Sequence, residues 1–541
     1  MEENKLKQER DMNKTKLLTK KVKTLLFVLL LGAPLAASAQ GDILIDETNF
    51  PDEAFRNYLL SQSYGADGVL TAAEIEGIAQ IEVINKNISS LKGIEYFTAL
   101  TYINCASNQL TELDVSKNTK LEHLNCHGNK LTTLDVSKNT KLEKLACTNN
   151  KLTALNVSGC TALTQLRFNS NRLTTLDISK NMALQVLDCS NNSFATLNVS
   201  GHAALTSLIC NYNQMTTLNI SGCTALTELV CYTNKLTALD TSTNTALESI
   251  ACNDNKISAI DVTNNTALTW LNCSLNPLIM LDVSKNTALK YLACMLNQLT
   301  ALDVSKNTAL KELFCVENQL TALDISKNTA LALVYCEKNQ LTELDVSNNT
   351  ALETLHCGDN LLTALDFSNN KLLDDLECPN NQIAALDFSN NTSLRQLDCT
   401  NNQITSIDIT GNTRMGDVRC SRNQIKGAVM DAFVECLPKV SWNQIYIYDN
   451  SEGDEGNICT KSQMATAEAK GWHFFYSEHR GTWWPYEGIA DDHPMGVAQP
   501  TTAKASQESA PVYTISGQKV AGGLNGRKGV YVVGGKKVIV K

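Results

Sequence analysis

With 541 residues, 43% of them hydrophobic, the chain is long enough for several domains and apolar enough to bury a core. Its net charge of −10 and pI near 5.4 exclude a protein that binds nucleic acid by tracking phosphates. Nineteen cysteines are present, yet no C-x-x-C, C-x-x-C-H or paired Cys/His zinc spacing occurs, so their placement needs another cause.

Residues 1–39 read as a secretory signal peptide. Lys16, Lys20, Lys21 and Lys23 precede an apolar core from Leu25 to Leu35, and Ala37-Ser38-Ala39 before Gln40 forms a small-residue cleavage site. That core is shorter than the ~20 apolar residues a spanning helix requires. Residues 40–96 are expected to cap the first end of the domain that follows. A helix is predicted to begin near Pro51, with Phe50, Ala54, Tyr58 and Leu59 on one side. Next, Ser63 to Glu74 partly matches an EF-hand loop through Asp67, Gly68, Leu70 and Glu74. Ser63 and Gly65 stand where two oxygen ligands belong, and calcium takes six to eight. Thr71-x-x-Glu74 reads equally as a capping box opening a second helix.

From residue 97 to 426 the sequence repeats every 21 residues. Fifteen cysteines, from Cys105 to Cys420, keep this spacing, and Phe168 alone interrupts them. Asparagine stands three residues after each of these sixteen positions, from Asn108 to Asn423, and an apolar residue five after. In L-x-x-L-x-C, the alternation of Leu124 and Cys126 around Asn125 marks a short strand with one buried face. Stacked repeats then make a parallel sheet. The fixed asparagine suits a turn whose amide bonds free backbone groups, repeated as a ladder. The segment Leu-Thr-x-Leu-Asp-Val returns along the other side. The Asp or Asn after its second leucine, as at Asp114, Asn156 and Asp408, reads as a turn acceptor rather than a catalytic carboxylate. Each ladder thiol reads as a small buried hydrophobe, since parallel side chains on strands ~4.8 Å apart suit neither the disulfide dihedral nor thiolate chemistry. Cys160 and Cys223 replace the Asn of the S-K-N-T turn and lie three repeats apart, too far to pair.

These Leu, Cys and Asn positions resemble the leucine-rich-repeat superfamily, and the 21-residue unit with an inward cysteine resembles the internalins that carry a cysteine ladder. The resemblance implies an α/β solenoid dominated by β structure: a right-handed, curved leucine-rich-repeat solenoid of about 16 repeats. It also implies a parallel sheet on the concave face, a helical N-terminal cap and an α+β C-terminal cap. The implied function is adhesion or partner recognition.

Residues 427–487 are expected to form the C-terminal cap. The elements predicted there are a helix near Ala428 to Leu437, a strand at Ile445 to Tyr448, a helix near Lys461 to Lys470 and a strand at Trp472 to Tyr476. A disulfide between Cys436 and Cys459 stays open at this point. The cluster His473, Tyr476, His479, Trp483, Trp484 and Tyr486 reads as a hydrophobic plug with a wet rim. Residues 488–511 have a linker's composition. Residues 512–541 alternate Val, Ile and Tyr with Gly-rich turns, which predicts short strands. They resemble a type IX secretion sorting domain, with V-Y-x-x-x-G-Q-K-V and a K-G-V-Y followed by G-K-K-V-x-x-K. That resemblance implies export to the surface of a Gram-negative bacterium, or release from it.

Function is expected at the outward strand positions, which vary while the rest of the repeat stays fixed. They turn apolar and aromatic at Tyr212, Tyr232, Trp270, Tyr291, Phe314 and Tyr335, joined by Leu275 and Leu296, and then acidic at Asp375 and Glu377. Exposed apolar patches mark interaction surfaces, and Trp and Tyr are enriched in binding cores. A protein partner on a host or neighbouring cell is expected, bound by a monomer; a glycan on the same stripe is the alternative. No nucleophile–base spacing, phosphate loop or metal cluster stands out, so no enzyme activity, cofactor or metal is expected.

Overall fold

The computed structural model describes residues 41–449, 455–479 and 482–491, with the backbone of four strands between 512 and 540. The expected signal segment, most of the expected linker and the side chain of His479 lie outside the described residues. The repeats fold as a β-solenoid of about sixteen 21-residue turns, as expected. Two compact units divide the chain, residues 1–341 and 342–541.

The first unit opens on its helical cap. Helix α1 (Glu53–Ser61) starts at Asp52, whose carboxylate accepts from Phe55 N and ties Ser89 and Ser90 to the same point. Phe50 is fully buried against Phe55, Tyr96 and Phe97, with ring centroids 5.7–6.2 Å away. Gly93 lies at φ 102°, and a Cβ there would stand 2.2 Å from the Phe50 ring, so only glycine fits. Helix α2 (Ala72–Gly77) begins with the Thr71/Glu74 capping box, whose bonds hold the Glu74 carboxylate on Thr71. The capping box expected there is present.

The parallel sheet begins one turn earlier than the repeat pattern, at Gln80–Glu82, which pairs in register with Tyr102–Asn104. Each later strand of this unit pairs with its neighbour at a constant offset, as Trp270–Asn272 does with Tyr291–Ala293. From Tyr102–Asn104 onward the residue after each repeat strand is the ladder cysteine, or Phe168 in one repeat, buried throughout. Burial, joined at Cys315 by the Glu337 charge, pushes the Cys105, Cys147, Cys252 and Cys315 thiols up to about 12, so they are inert hydrophobes at neutral pH.

Two rows of asparagine side chains run along the repeats. In the first, the Asn297 amide donates to the carbonyls of Cys273 (3.2 Å) and Cys294 (3.0 Å), while its oxygen accepts from Leu278 N (3.1 Å). In the second row, Asn307 donates to Val283 O (3.0 Å) and Asn286 O (2.8 Å), but its buried oxygen has no hydrogen-bond partner. Asp114 and its equivalents accept from the backbone N–H two residues on, as Asp282 does from Ser284 (2.9 Å), which is the turn role expected of them.

The second unit continues the same repeat from Thr354–His356 to Asp417–Arg419. Its sheet then extends through Asn443–Asp449, Trp472–His479 and Thr482–Pro485, with helices α3 (Ala428–Cys436) and α4 (Lys461–Glu468) alongside. The four elements predicted for this cap are present. Cys436 and Cys459 are free thiols, and Cys436 donates to Phe433 O (3.2 Å). Trp472 is buried with its indole N–H on Pro438 O (2.7 Å), and Tyr448 stacks on Tyr486. The four tail strands form their own antiparallel sheet: Lys519–Val520, Val512–Thr514, Gly529–Val533 and Lys536–Val540, in that order.

Candidate functional site

In a strand whose central leucine and following cysteine point inward, the residues on either side of that leucine point outward. In-register pairing therefore lines them up into rows. Trp270, Tyr291, Phe314 and Tyr335 fill such positions on consecutive strands and are all half-buried. Their rings form one continuous stack. Trp270 lies parallel to Tyr291 (4.8 Å, 11°), Tyr291 meets Phe314 at 5.3 Å, and Phe314 stacks on Tyr335 (5.0 Å, 27°). Tyr212 and Tyr232 make a separate edge-to-face pair (5.3 Å, 80°). Between the two groups lies the strand carrying Ser249 and Ala251. The expected single stripe is thus two clusters, and part of each ring's face is spent on its neighbour, at about 0.5–1.5 kcal/mol per pair.

A second feature of this face was hidden in the sequence. The residue two after each ladder position is left-handed in every repeat, with φ between 51° and 67°. Glycine, asparagine, aspartate, serine or another polar residue occupies most of these sites, as at Gly128, Asn149, Ser170 and Asp254. Tyr212, Leu275 and Leu296 are the exceptions, and they are 53%, 45% and 40% exposed. A left-handed L-residue costs about 1 kcal/mol, least for Asn and Gly. Local backbone preference therefore opposes these three side chains, and their exposure leaves little burial to offset it.

In the second unit the outward rows are charged. His356 lies in register with Glu377, and Thr354 with Asp375. His356 Nε2 is 3.2 Å from Asp375 Oδ2, and Nδ1 is 3.6 Å from Glu377 Oε2. One strand on, Asp398 faces Glu377 directly, and Arg419 approaches Asp398 at 4.0 Å. Arg419 also lies over the Tyr446 ring, 5.4 Å from its centroid. Asp375 and Glu377 line one hollow with Gln396, Asp398 and Asp417. The sequence singled out the two acids but missed His356. Its signal was available: it stands 21 residues before Glu377, at the same outward position.

No family model and no curated protein match the sequence. Among solved structures, the functional domain of InlJ from Listeria monocytogenes, which includes a cysteine ladder, is similar at 33% identity and a TM-score of 0.60. The match covers 71% of this chain and 82% of that one. The leucine-rich-repeat ectodomain of the Arabidopsis thaliana receptor kinase GASSHO1/SCHENGEN3, in complex with Casparian strip integrity factor 2, shares the fold. It has 17% identity and a TM-score of 0.51, over 74% of this chain and 59% of that one. A leucine-rich-repeat protein of Leptospira interrogans matches at 23% identity and a TM-score of 0.47, over 70% and 92%.

Proposed function

The chain belongs to the leucine-rich-repeat family in the cysteine-ladder form of InlJ, and we propose that it is a secreted or surface-displayed binding protein whose sheet face docks a protein partner. The observation that carries this reading is the placement of Tyr212, Leu275 and Leu296. Large exposed side chains at left-handed positions work against the stability of the chain, so their use answers to something outside it. Leu275 and Leu296, beside the Trp270–Tyr335 stack, give an apolar centre of the kind that anchors protein interfaces. Tyr212 and Tyr232 supply a second contact. Asp375 and Glu377 add acidic chemistry at the outward strand positions of the second unit. The lysine-led segment before Gln40 supports export, and the tail beyond Val512, like a type IX sorting domain, supports delivery to the outer surface of a Gram-negative bacterium.

The test is the double variant Leu275→Asn/Leu296→Asn, compared with the unaltered chain for binding to arrayed host and bacterial surface proteins and to a glycan array. Protein binding is expected to fall at least tenfold while thermal stability holds or rises, because asparagine accepts the left-handed backbone. Undiminished protein binding would sink the proposal. Loss confined to the glycan array would replace the protein partner with a carbohydrate.

A further inference from the structure

We propose that His356, Asp375 and Glu377 form a binding site for a divalent transition-metal ion of the zinc class. The three side chains are brought together by register alone. His356 stands directly opposite Glu377 and diagonal to Asp375 on the adjacent parallel strand. One donor atom from each lies within 4.8 Å of the others. The His356 Nε2 to Asp375 Oδ2 separation of 3.2 Å matches the edge of roughly 3.3 Å between ligands at ~2.0–2.1 Å around a tetrahedral zinc. Glu377, whose side chain is 47% exposed, offers the third ligand atom within the same 4.8 Å. Water would complete the shell.

Two further observations point to a cation. Asp375 has its second oxygen, Oδ1, sealed from solvent with no hydrogen-bond partner, an arrangement that is costly for a carboxylate. Glu377 also faces Asp398 directly across the next strand pair, a like-charge juxtaposition that destabilises a sheet. Arg419 pairs with Asp398, and Arg395, whose charge also reaches Asp375, pairs with Asp374. A divalent ion would neutralise this charge and coordinate all three groups. The donor set also selects the ion. Imidazole with carboxylates suits zinc and its neighbours, while calcium and magnesium prefer oxygen alone.

The experiment uses the full chain without an affinity tag. Zinc is titrated by equilibrium dialysis, and cobalt is used as a visible-absorbing probe, on the unaltered protein and on His356→Ala, Asp375→Asn and Asp282→Asn. One zinc equivalent is expected to bind saturably. Affinity should fall at least tenfold in His356→Ala and in Asp375→Asn and stay unchanged in Asp282→Asn, a turn carboxylate outside the hollow. Circular dichroism checks that each variant is folded. The cobalt spectrum should show visible ligand-field bands without thiolate charge transfer. Absence of saturable zinc binding, full affinity in His356→Ala, or a thiolate charge-transfer band that assigns the metal to the buried cysteines would each overturn the proposal.

Discussion

The two asparagine rows occupy the same protein and recur at the same interval, the first buried or half-buried and the second buried throughout, yet they differ in how strictly the residue is kept. The first row, Asn108 to Asn423, has asparagine at every one of its sixteen positions. The second, Asn118 to Asn412, admits Cys160, His202 and Cys223. The bonds explain the difference. A first-row side chain must both donate to carbonyls and accept a backbone N–H, and among side chains of that size an amide does both. A second-row side chain needs only to donate. Cys160 Sγ reaches Val136 O at 3.2 Å, Cys223 Sγ reaches Val199 O at 3.1 Å, and His202 sets its ring nitrogens 2.9 and 3.2 Å from two carbonyls. Invariance here measures the number of obligations a side chain meets, not how deeply it is buried.

The contrast breaks most visibly by placing cysteine in both rows. Asn297→Cys should destabilise the fold by about 3 kcal/mol, since Leu278 N and a carbonyl lose their partners inside the protein. Asn307→Cys, which repeats what Cys160 and Cys223 already do, should cost about 1 kcal/mol. Chemical denaturation measures both, and equal losses would remove the explanation.

A smaller effect concerns the end of the first row. There Asn457 takes over the asparagine role, accepting from Ile425 N (2.9 Å) and donating to Cys420 O (2.8 Å). Glu455 holds it in place by accepting from the N–H groups of Asn457, Arg422 and Asp449. Burial outweighs these bonds and pushes the Glu455 carboxyl up to about 7, from an ordinary 4.5. The folded chain therefore keeps a proton there that the unfolded chain has lost between those values. Stability of this unit should rise by about 2 kcal/mol as pH falls from 7 to 4.5 and be lost as pH rises through 7. Glu455→Gln should flatten that dependence in pH-resolved thermal melts.

The smallest effect sharpens the second row. Thr241 donates its hydroxyl to Asn265 Oδ1 (2.8 Å), satisfying an oxygen that has no partner in Asn307. Val283 stands in the equivalent place for Asn307. Val283→Thr should thus be neutral or stabilising by a few tenths of a kcal/mol, the new hydrogen bond offsetting the lost methyl. A threonine in an apolar core ordinarily destabilises, so the sign is the informative result in thermal unfolding.

Much of this was legible in the sequence because period and residue type coincide. Cys126 and Asn129 announce a strand and a turn, and the Asp114 series announces its own. The capping box at Thr71 and the helix near Ala428 followed from local rules as well. What the sequence hid was conformational. The left-handed position carries no single residue type, so Leu275 and Leu296 looked like ordinary outward strand residues. The second asparagine row looked like a surface turn because its neighbours Ser, Lys and Thr are exposed, although its recurrence signalled burial. His356 was passed over because the two acids lie on one strand and the histidine on the next, a proximity visible only when repeats are laid over one another.

One consequence of in-register pairing concerns descent. Most junctions between consecutive turns are built from the same contacts at the same offset, so whole turns can be gained or lost by unequal crossing-over of the gene without opening a seam in the interior. Array length and the order of outward side chains can then drift faster than any individual turn. Chains of common ancestry would share their inner rows and disagree in what those rows display.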